Sequence, residues 1–188
     1  MRIISGSFKG KKILVPKDKK TRPLKDLTKE SIFNIIIHSN KFKINLANSY
    51  ILDLFSGVGS FGIECLSRGV KKVIFIENYS GVIPLLKKNL FNLKEIKNYE
   101  IIEKDIYDGN IFQELKDKFD IIFLDPPYKK KNLENLLSKI KDQKILNKNG
   151  IIILHRHKNE MDLLPATYQI IEQKVYGISK IKFISYLN

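Results

Sequence analysis

The run Leu124-Asp125-Pro126-Pro127-Tyr128 closes the apolar segment DIIFLD (120–125) and leads into Lys129–Lys131. One proline is enough to end a strand. Two in succession also fix the backbone beside the acid. An ionised Asp125 presents acceptor oxygens, and the carbonyl of Pro126 presents another. The ring of Tyr128 can lie on a flat group, as aromatic side chains lie on unstacked bases. This set suits an amino group conjugated to a planar ring. Such a nitrogen is a poor nucleophile because its lone pair is delocalised, and two acceptors on its N–H groups favour the tetrahedral geometry that attack requires. Asp125 also offsets the positive charge that develops on the nitrogen. Pro127 stiffens the turn.

A second constellation lies upstream. Residues 53–62 read DLFSGVGSFG, so Gly57, Gly59 and Gly62 satisfy G-x-G-x-x-G, and Glu77 ends the next apolar run. Glycines let backbone approach a ligand, and an acid after the second strand can accept from ribose hydroxyls. The combination points to a nucleoside ligand. Asp53, four residues before Gly57, narrows the choice. A pyrophosphate on the helix N-terminus would face that carboxylate unfavourably, whereas the ammonium group of S-adenosylmethionine would be held by it. Asp105, after the third strand, reads equally as an acceptor for the adenine amino group and as a helix N-cap or turn aspartate.

These residues need a frame. YILDLF (50–55), KVIFIE (72–77), YEIIEKD (99–105), DIIFLD (120–125) and GIIILH (150–155) read as short, nearly continuous apolar strands. Helical stretches follow the first four: after Gly57, from a Ser80 cap to about Asn92, near 111–117 and near 132–141. That alternation predicts an α/β fold with a parallel sheet covered on both faces. Ligands in such sheets bind beyond the carboxyl ends of the strands, at the point where strand order reverses. Residues 2–15 read as two short strands around a basic turn, and Asp26–Ser39 as a helix with Asp26 at its N-cap. The tail, 167–187, offers two further strand-like runs about Gly177.

With 188 residues and 43% hydrophobic content, the chain has the size of one ordinary domain. It lacks a signal-peptide h-region and any apolar run of membrane-spanning length. Cys65 is its only cysteine, which excludes an internal disulfide and Cys–His metal sites, so no metal is expected. These features lead us to expect a cytoplasmic protein. The net charge is +14, and Lys9, Lys11, Lys12, Lys17, Lys19, Lys20, Arg22, Lys25 and Lys29 crowd the first thirty residues. A surplus of this size favours a polyanionic partner.

L-D-P-P-Y at 124–128 together with D-L-F-S-G-V-G at 53–59 resembles class I S-adenosylmethionine-dependent methyltransferases of planar amines. RIISGSFKGKKILVP (2–16), TRPLKDLTKESIFN (21–34) and ECLSRG (64–69) extend the resemblance to one family, the bacterial small-subunit rRNA guanine-N2 methyltransferases that modify guanine 966 of 16S rRNA. It runs from Arg2 to Gly177. It implies a Rossmann-like, mostly parallel seven-stranded sheet (41–188) with an N-terminal β-hairpin and helix extension (1–40) that binds RNA. It implies cofactor contacts from Asp53, Phe55, Ser56, Gly57, Gly59, Glu77, Asn78, Asp105 and Ile106, and catalysis by Asp125, Pro126, Pro127 and Tyr128. Lys9, Lys11, Lys12, Arg22, Lys25 and Lys29 would hold RNA phosphates. The partner would be 16S rRNA or the assembling 30S subunit, met by a monomer. Four positions depart from the family pattern: Leu24 for a threonine, Leu27 and Lys29 for arginines, and His155 for a glutamate.

Other readings compete. The same D-P-P-Y chemistry serves N6-adenine methyltransferases of DNA or RNA, though this chain has no room for a DNA target-recognition domain. An N-P-P-Y form methylates protein glutamine, and Asp125 argues against it. An NAD-linked oxidoreductase lacks a hydride-transfer constellation here. A silent RNA-binding module would not need the intact motif. His38, His155 and His157 offer no acid–base arrangement in the sequence.

Overall fold

The computed structural model describes residues 1–16, 24–108, 110–127 and 132–187. Five apolar runs form its centre: β1 (Tyr50–Leu54), β2 (Lys72–Ile76), β3 (Tyr99–Ile102), β4 (Phe119–Leu124) and β5 (Leu146–His157). They pair in parallel. The tail supplies β6 (Tyr168–Tyr176) and β7 (Ser179–Tyr186), an antiparallel hairpin whose β7 also pairs antiparallel with β5. Strand order is β3-β2-β1-β4-β5-β7-β6. Order reverses between β1 and β4, so the switch point, where ligands bind in such sheets, lies between Asp53 near the end of β1 and Asp125 just after β4.

Alternate side chains of each strand face opposite layers. Ile51, Ile121, Phe123, Ile151 and Ile153 are buried in one core cluster with residues of α1 (Asp26–His38), α2 (Ser60–Ser67) and α3 (Ile83–Phe91). Leu52, Leu54, Ile122, Leu124, Ile152 and Leu154 are buried in the other with α4 (Ile111–Glu114) and α5 (Leu133–Asp142). Phe61 of α2 stacks on Phe123 at 4.1 Å and on Phe33 of α1 at 5.3 Å between ring centroids. Truncating such a buried ring costs about 3–5 kcal/mol.

The N-terminal segment folds back on itself as a short antiparallel hairpin: Arg2 bridges Lys12, Ile3 N–H donates to the Lys11 carbonyl at 2.9 Å, Gly10 N–H to the Ile3 carbonyl at 2.9 Å and Ile13 N–H to the Met1 carbonyl at 3.1 Å. Among the described residues the pairing goes no further, because the turn bonds to α2: Ser7 N–H donates to the Ser67 carbonyl at 2.8 Å, and Ile4 and Ser5 N–H donate to the Glu64 carboxylate at 2.7 and 3.0 Å. Gly6 has φ +81°, and a Cβ there would lie 1.8 Å from the Ser67 carbonyl oxygen, so a side chain would push the segment off α2. Ile3, Ile13 and Leu24 join the core of the α1–α3 face. Helix boundaries also shift. Lys25, not Asp26, is the N-cap of α1, and the Asp26 carboxylate accepts from Arg2 N–H instead. Val82, not Ser80, precedes α3.

Lys29 is the clearest correction. Its side chain is fully buried, so it cannot hold an RNA phosphate. Its Nζ donates to the Arg2 carbonyl at 2.7 Å and lies 3.6 Å from Glu64, itself bonded to Arg68 Nε at 2.8 Å. Burial pulls the Lys29 pKa below its ordinary value, and the charges of Glu64 and Asp26 oppose this. Removing one partner of such a buried group leaves an uncompensated charge and costs about 3–5 kcal/mol. This cluster fastens the N-terminal segment to α1 and α2.

Candidate active site

The glycine turn after β1 is left-handed at three residues: Phe55 (φ +59°), Gly57 (φ +55°) and Gly59 (φ +82°). A non-glycine residue in that region costs of order 1–3 kcal/mol. A Cβ on Gly57 would meet nothing within 4 Å, so the turn opens onto free space that a ligand can occupy. Ser56 Oγ is buried there, and no described residue bonds it.

Carboxylates brace this turn from beneath. Glu77 follows β2, and its Oε2 accepts from Gly57 N–H at 2.7 Å. Its Oε1 accepts from Asn78 and Tyr79 N–H at 2.9 and 2.8 Å. Three of a carboxylate's roughly four acceptor positions are thus filled, and one remains for a hydroxyl. Asp53 is almost fully buried, and its Oδ2 accepts from Gly62 N–H at 2.9 Å in the first turn of α2. Asp105 lies beyond β3 in a turn: Oδ1 accepts from Tyr107 N–H and Oδ2 from Asn78 Nδ2, both at 2.9 Å. Ile106 is buried against the β-sheet, and the rings of Phe55 and Tyr107 lie 5.9 Å apart. Of the nine residues expected to meet the cofactor, Asp53 lies near the end of β1 and the other eight belong to the turns after β1, β2 and β3.

Asp125 follows β4 directly, half-buried, with Oδ1 2.9 Å from His155 Nδ1. His155 Nε2 lies 3.0 Å from Ser179 Oγ at the start of β7. Pro126 is buried and Pro127 exposed. Arg156 Nη1 donates to the Pro126 carbonyl at 3.4 Å, while its Nε donates to both oxygens of Asp162 at 3.0 and 3.2 Å. A carbonyl has two lone pairs, so one stays available for an acceptor amine. Tyr128 and Lys129–Lys131 lie outside the described residues.

Neither His155 nor Arg156 emerged as functional from the sequence. The signal was the strand register: Leu124 pairs with Leu154, so the next step along β4 and β5 brings Asp125 beside His155. Burial lowers the His155 pKa, but the charge and hydrogen bond of Asp125 outweigh it, and the net shift is upward. Asp53 responds in kind. Burial raises its pKa, the Gly62 bond opposes this, and the charges of Asp125 and Glu77 add to the rise, which reaches about 8. Three carboxylates at neighbouring strand ends make a site short of positive charge.

The basic residues divide. Lys9, Lys11, Lys12 and Lys25 are exposed. Lys11 lies 4.8 Å over the Phe8 ring and donates to the Asn92 carbonyl at 3.1 Å. Arg22 lies outside the described residues. Of the departures from the family pattern, Leu24 is core, Leu27 is exposed, and Lys29 and His155 are buried and bonded as above. Asn89 was not foreseen: it is buried, exchanges two bonds with the Leu14 backbone and donates to the Val58 carbonyl in the glycine turn at 3.1 Å.

The family described as "Conserved hypothetical protein 95" matches residues 1–185. Ribosomal RNA small subunit methyltransferase D of Haemophilus influenzae is 33% identical over 179 residues, covering 95% of this chain and 90% of its own. The chain belongs to that family. The solved structure of yhhF from Escherichia coli superposes with a TM-score of 0.80 at 26% identity, covering 99% of this chain and 97% of that one. The crystal structure of HI0767 from Haemophilus influenzae gives 0.77 at 31%, covering 100% and 98%. The fold is that of the class I methyltransferases. The site fits the cofactor of that class: the open space over Gly57, the unbonded Ser56 hydroxyl and the acids beneath the turn suit a ligand that carries an ammonium and a sulfonium.

Proposed function

We propose that this protein transfers a methyl group from S-adenosylmethionine to the exocyclic N2 amine of guanine 966 in 16S rRNA. The observation that carries the reading is Asp125 with the Pro126 carbonyl at the end of β4, across the switch point from the glycine turn after β1. The name of the Haemophilus influenzae relative supports small-subunit rRNA as the substrate class. When bound, S-adenosylmethionine supplies an electrophilic methyl group on a cationic sulfur. Asp53, Ser56, Gly57, Glu77 and Asp105 would hold it at the ends of β1–β3. Asp125 and the Pro126 carbonyl take the two N–H groups of the guanine amine and orient its lone pair along the line of transfer. Asp125 offsets charge building on that nitrogen, and the proton leaves afterwards to Asp125 or water. Tyr128 covers the base. A base stacked within a helix cannot reach such a crevice, so the target is looped or flipped.

Residues 1–40 form the RNA-binding extension and residues 41–188 the methyltransferase domain. Lys9, Lys11, Lys12, Arg22 and Lys25 contact phosphates, which makes binding salt-dependent. Among the described residues, no helix is long and apolar enough to cross a membrane. We place the protein in the cytoplasm as a monomer, because a large RNA partner needs open access. The test is tritiated methyl transfer to unmodified small-subunit rRNA and to assembling particles, followed by nucleoside analysis. N2-methylguanosine is the expected product. N6-methyladenosine would overturn the base assignment.

A further inference from the structure

We infer that His155 is a positioning residue for the acceptor carboxylate: it fixes Asp125 Oδ1 so that Oδ2 faces the amine, and it does so in both of its charge states. This rests on the methyl transfer proposed above. The geometry is a chain of three buried or half-buried groups from three strands. Asp125 Oδ1 is 2.9 Å from His155 Nδ1, and His155 Nε2 is 3.0 Å from Ser179 Oγ. An ionised carboxylate only accepts, so Nδ1 carries a proton whenever this bond is made. Nε2 is therefore the atom that titrates. A serine hydroxyl rotates freely: it accepts from Nε2–H in the cation and donates to bare Nε2 in the neutral ring. The ring, and with it Asp125, keeps one orientation on both sides of the titration. Only the charge changes.

That change reaches the reaction. With His155 charged, the Asp125–His155 pair is neutral overall and offsets less of the positive charge on the attacked nitrogen. With His155 neutral, the full charge of Asp125 acts there. Methyl transfer therefore rises with pH through the His155 titration. The surrounding charges are largely spent on one another. Arg156, beside it on β5, pairs with Asp162 and Glu160. Lys180 of β7 donates to the carbonyls of Lys158 and Glu160. Lys182 of β7 lies within the field of Asp162, Lys180 and Arg156. Asp53, beyond Asp125, adds a carboxylate on the β1 side. Asp125 acts on His155 most directly among the carboxylates and holds the titration above the ordinary histidine value of about 6.5. His155 takes no proton from the product, because Nδ1 already holds one.

The experiment measures single-turnover transfer from pH 5.5 to 9 for wild type, H155N and H155F, with the cofactor Kd of each as the check on folding. Asparagine keeps a donor near the Nδ1 position and does not titrate. We expect H155N to stay within about fivefold of the wild-type plateau and to lose the inflection, and H155F to fall roughly 10–100-fold. An unchanged inflection in H155N, or a folded H155F within twofold of wild type, overturns the role. If H155F does not bind cofactor, the H155N profile decides alone. Nitrogen-15 NMR of the imidazole reads the same geometry without turnover. Nδ1 should stay protonated and Nε2 should titrate, at lower pH in D125A. A neutral ring protonated at Nε2 overturns the inference whatever the substrate is. Wild type that leaves rRNA unmethylated while its ring behaves as described overturns the proposed reaction instead.

Discussion

The two halves of the crevice are built by different means. On the side of β1–β3, carboxylates are tied mainly by main-chain N–H groups: Glu77 by Gly57, Asn78 and Tyr79, Asp53 by Gly62, and Asp105 by Tyr107 together with the Asn78 side chain. On the side of β4–β5, the working groups are tied by side chains from other strands, Asp125 by His155 and the Pro126 carbonyl by Arg156. The first half is a set of local turns that makes a fixed, acid-lined cradle. The second is an assembly whose geometry depends on residues 30 positions away. On the proposed function, the difference predicts that cofactor binding and methyl transfer can be separated by mutation.

Four measurements press on that separation. The largest effect belongs to D125A, which should lower single-turnover transfer by about 10²–10³-fold and leave cofactor Kd within about threefold. A comparable loss of cofactor binding would break the division. E77A should do the reverse. It strands the N–H of Gly57 in the glycine turn and those of Asn78 and Tyr79 after β2, at roughly 1–3 kcal/mol for a buried donor, so calorimetry should show cofactor affinity falling by about 5–150-fold, with transfer at saturation little changed. S56A removes one neutral hydroxyl contact, about 0.5–1.5 kcal/mol, and should weaken cofactor binding by about 2–10-fold. A Kd identical to wild type would place Ser56 outside the cofactor contacts.

The last measurement reads a slope bounded by one proton. Asp53 has a folded pKa of about 8, against about 4 in an unfolded chain. Between those values the native protein holds a proton that the unfolded chain has released. The stability this contributes is complete below about pH 4 and lost as pH rises through 8. Urea unfolding of wild type and D53N at pH 5, 7 and 9 should show the gap between them moving in favour of D53N as pH rises. A constant gap would mean that Asp53 is ionised throughout.

The same contrast explains what could be read from the chain alone. Gly57, Gly59, Glu77 and Asp105 stand in turns whose partners are near in sequence or one strand away, so spacing was enough to place them at the strand ends. The parallel sheet was legible because each strand is a continuous apolar run. Asp125 was legible from its prolines. His155 and Arg156 were not, because an isolated histidine or arginine at a strand end carries no local signal and acquires one only when β4 and β5 fall into register. Lys29 misled for the opposite reason. Charge in a basic cluster reads as surface, and nothing near it in sequence discloses Glu64. The N-terminal pairing was legible from residues 2–15, but it is shorter than two full strands because the N–H groups of Ile4, Ser5 and Ser7 bond to α2 instead.

The attachment of that segment has a consequence in time. Ile4 N–H finds its acceptor 60 residues later, on Glu64. At about 5–20 residues per second, Ile4 is made roughly 3–12 seconds before Glu64. Until then Lys29 lacks the carboxylate it meets in the folded chain, so its burial must follow the synthesis of α2.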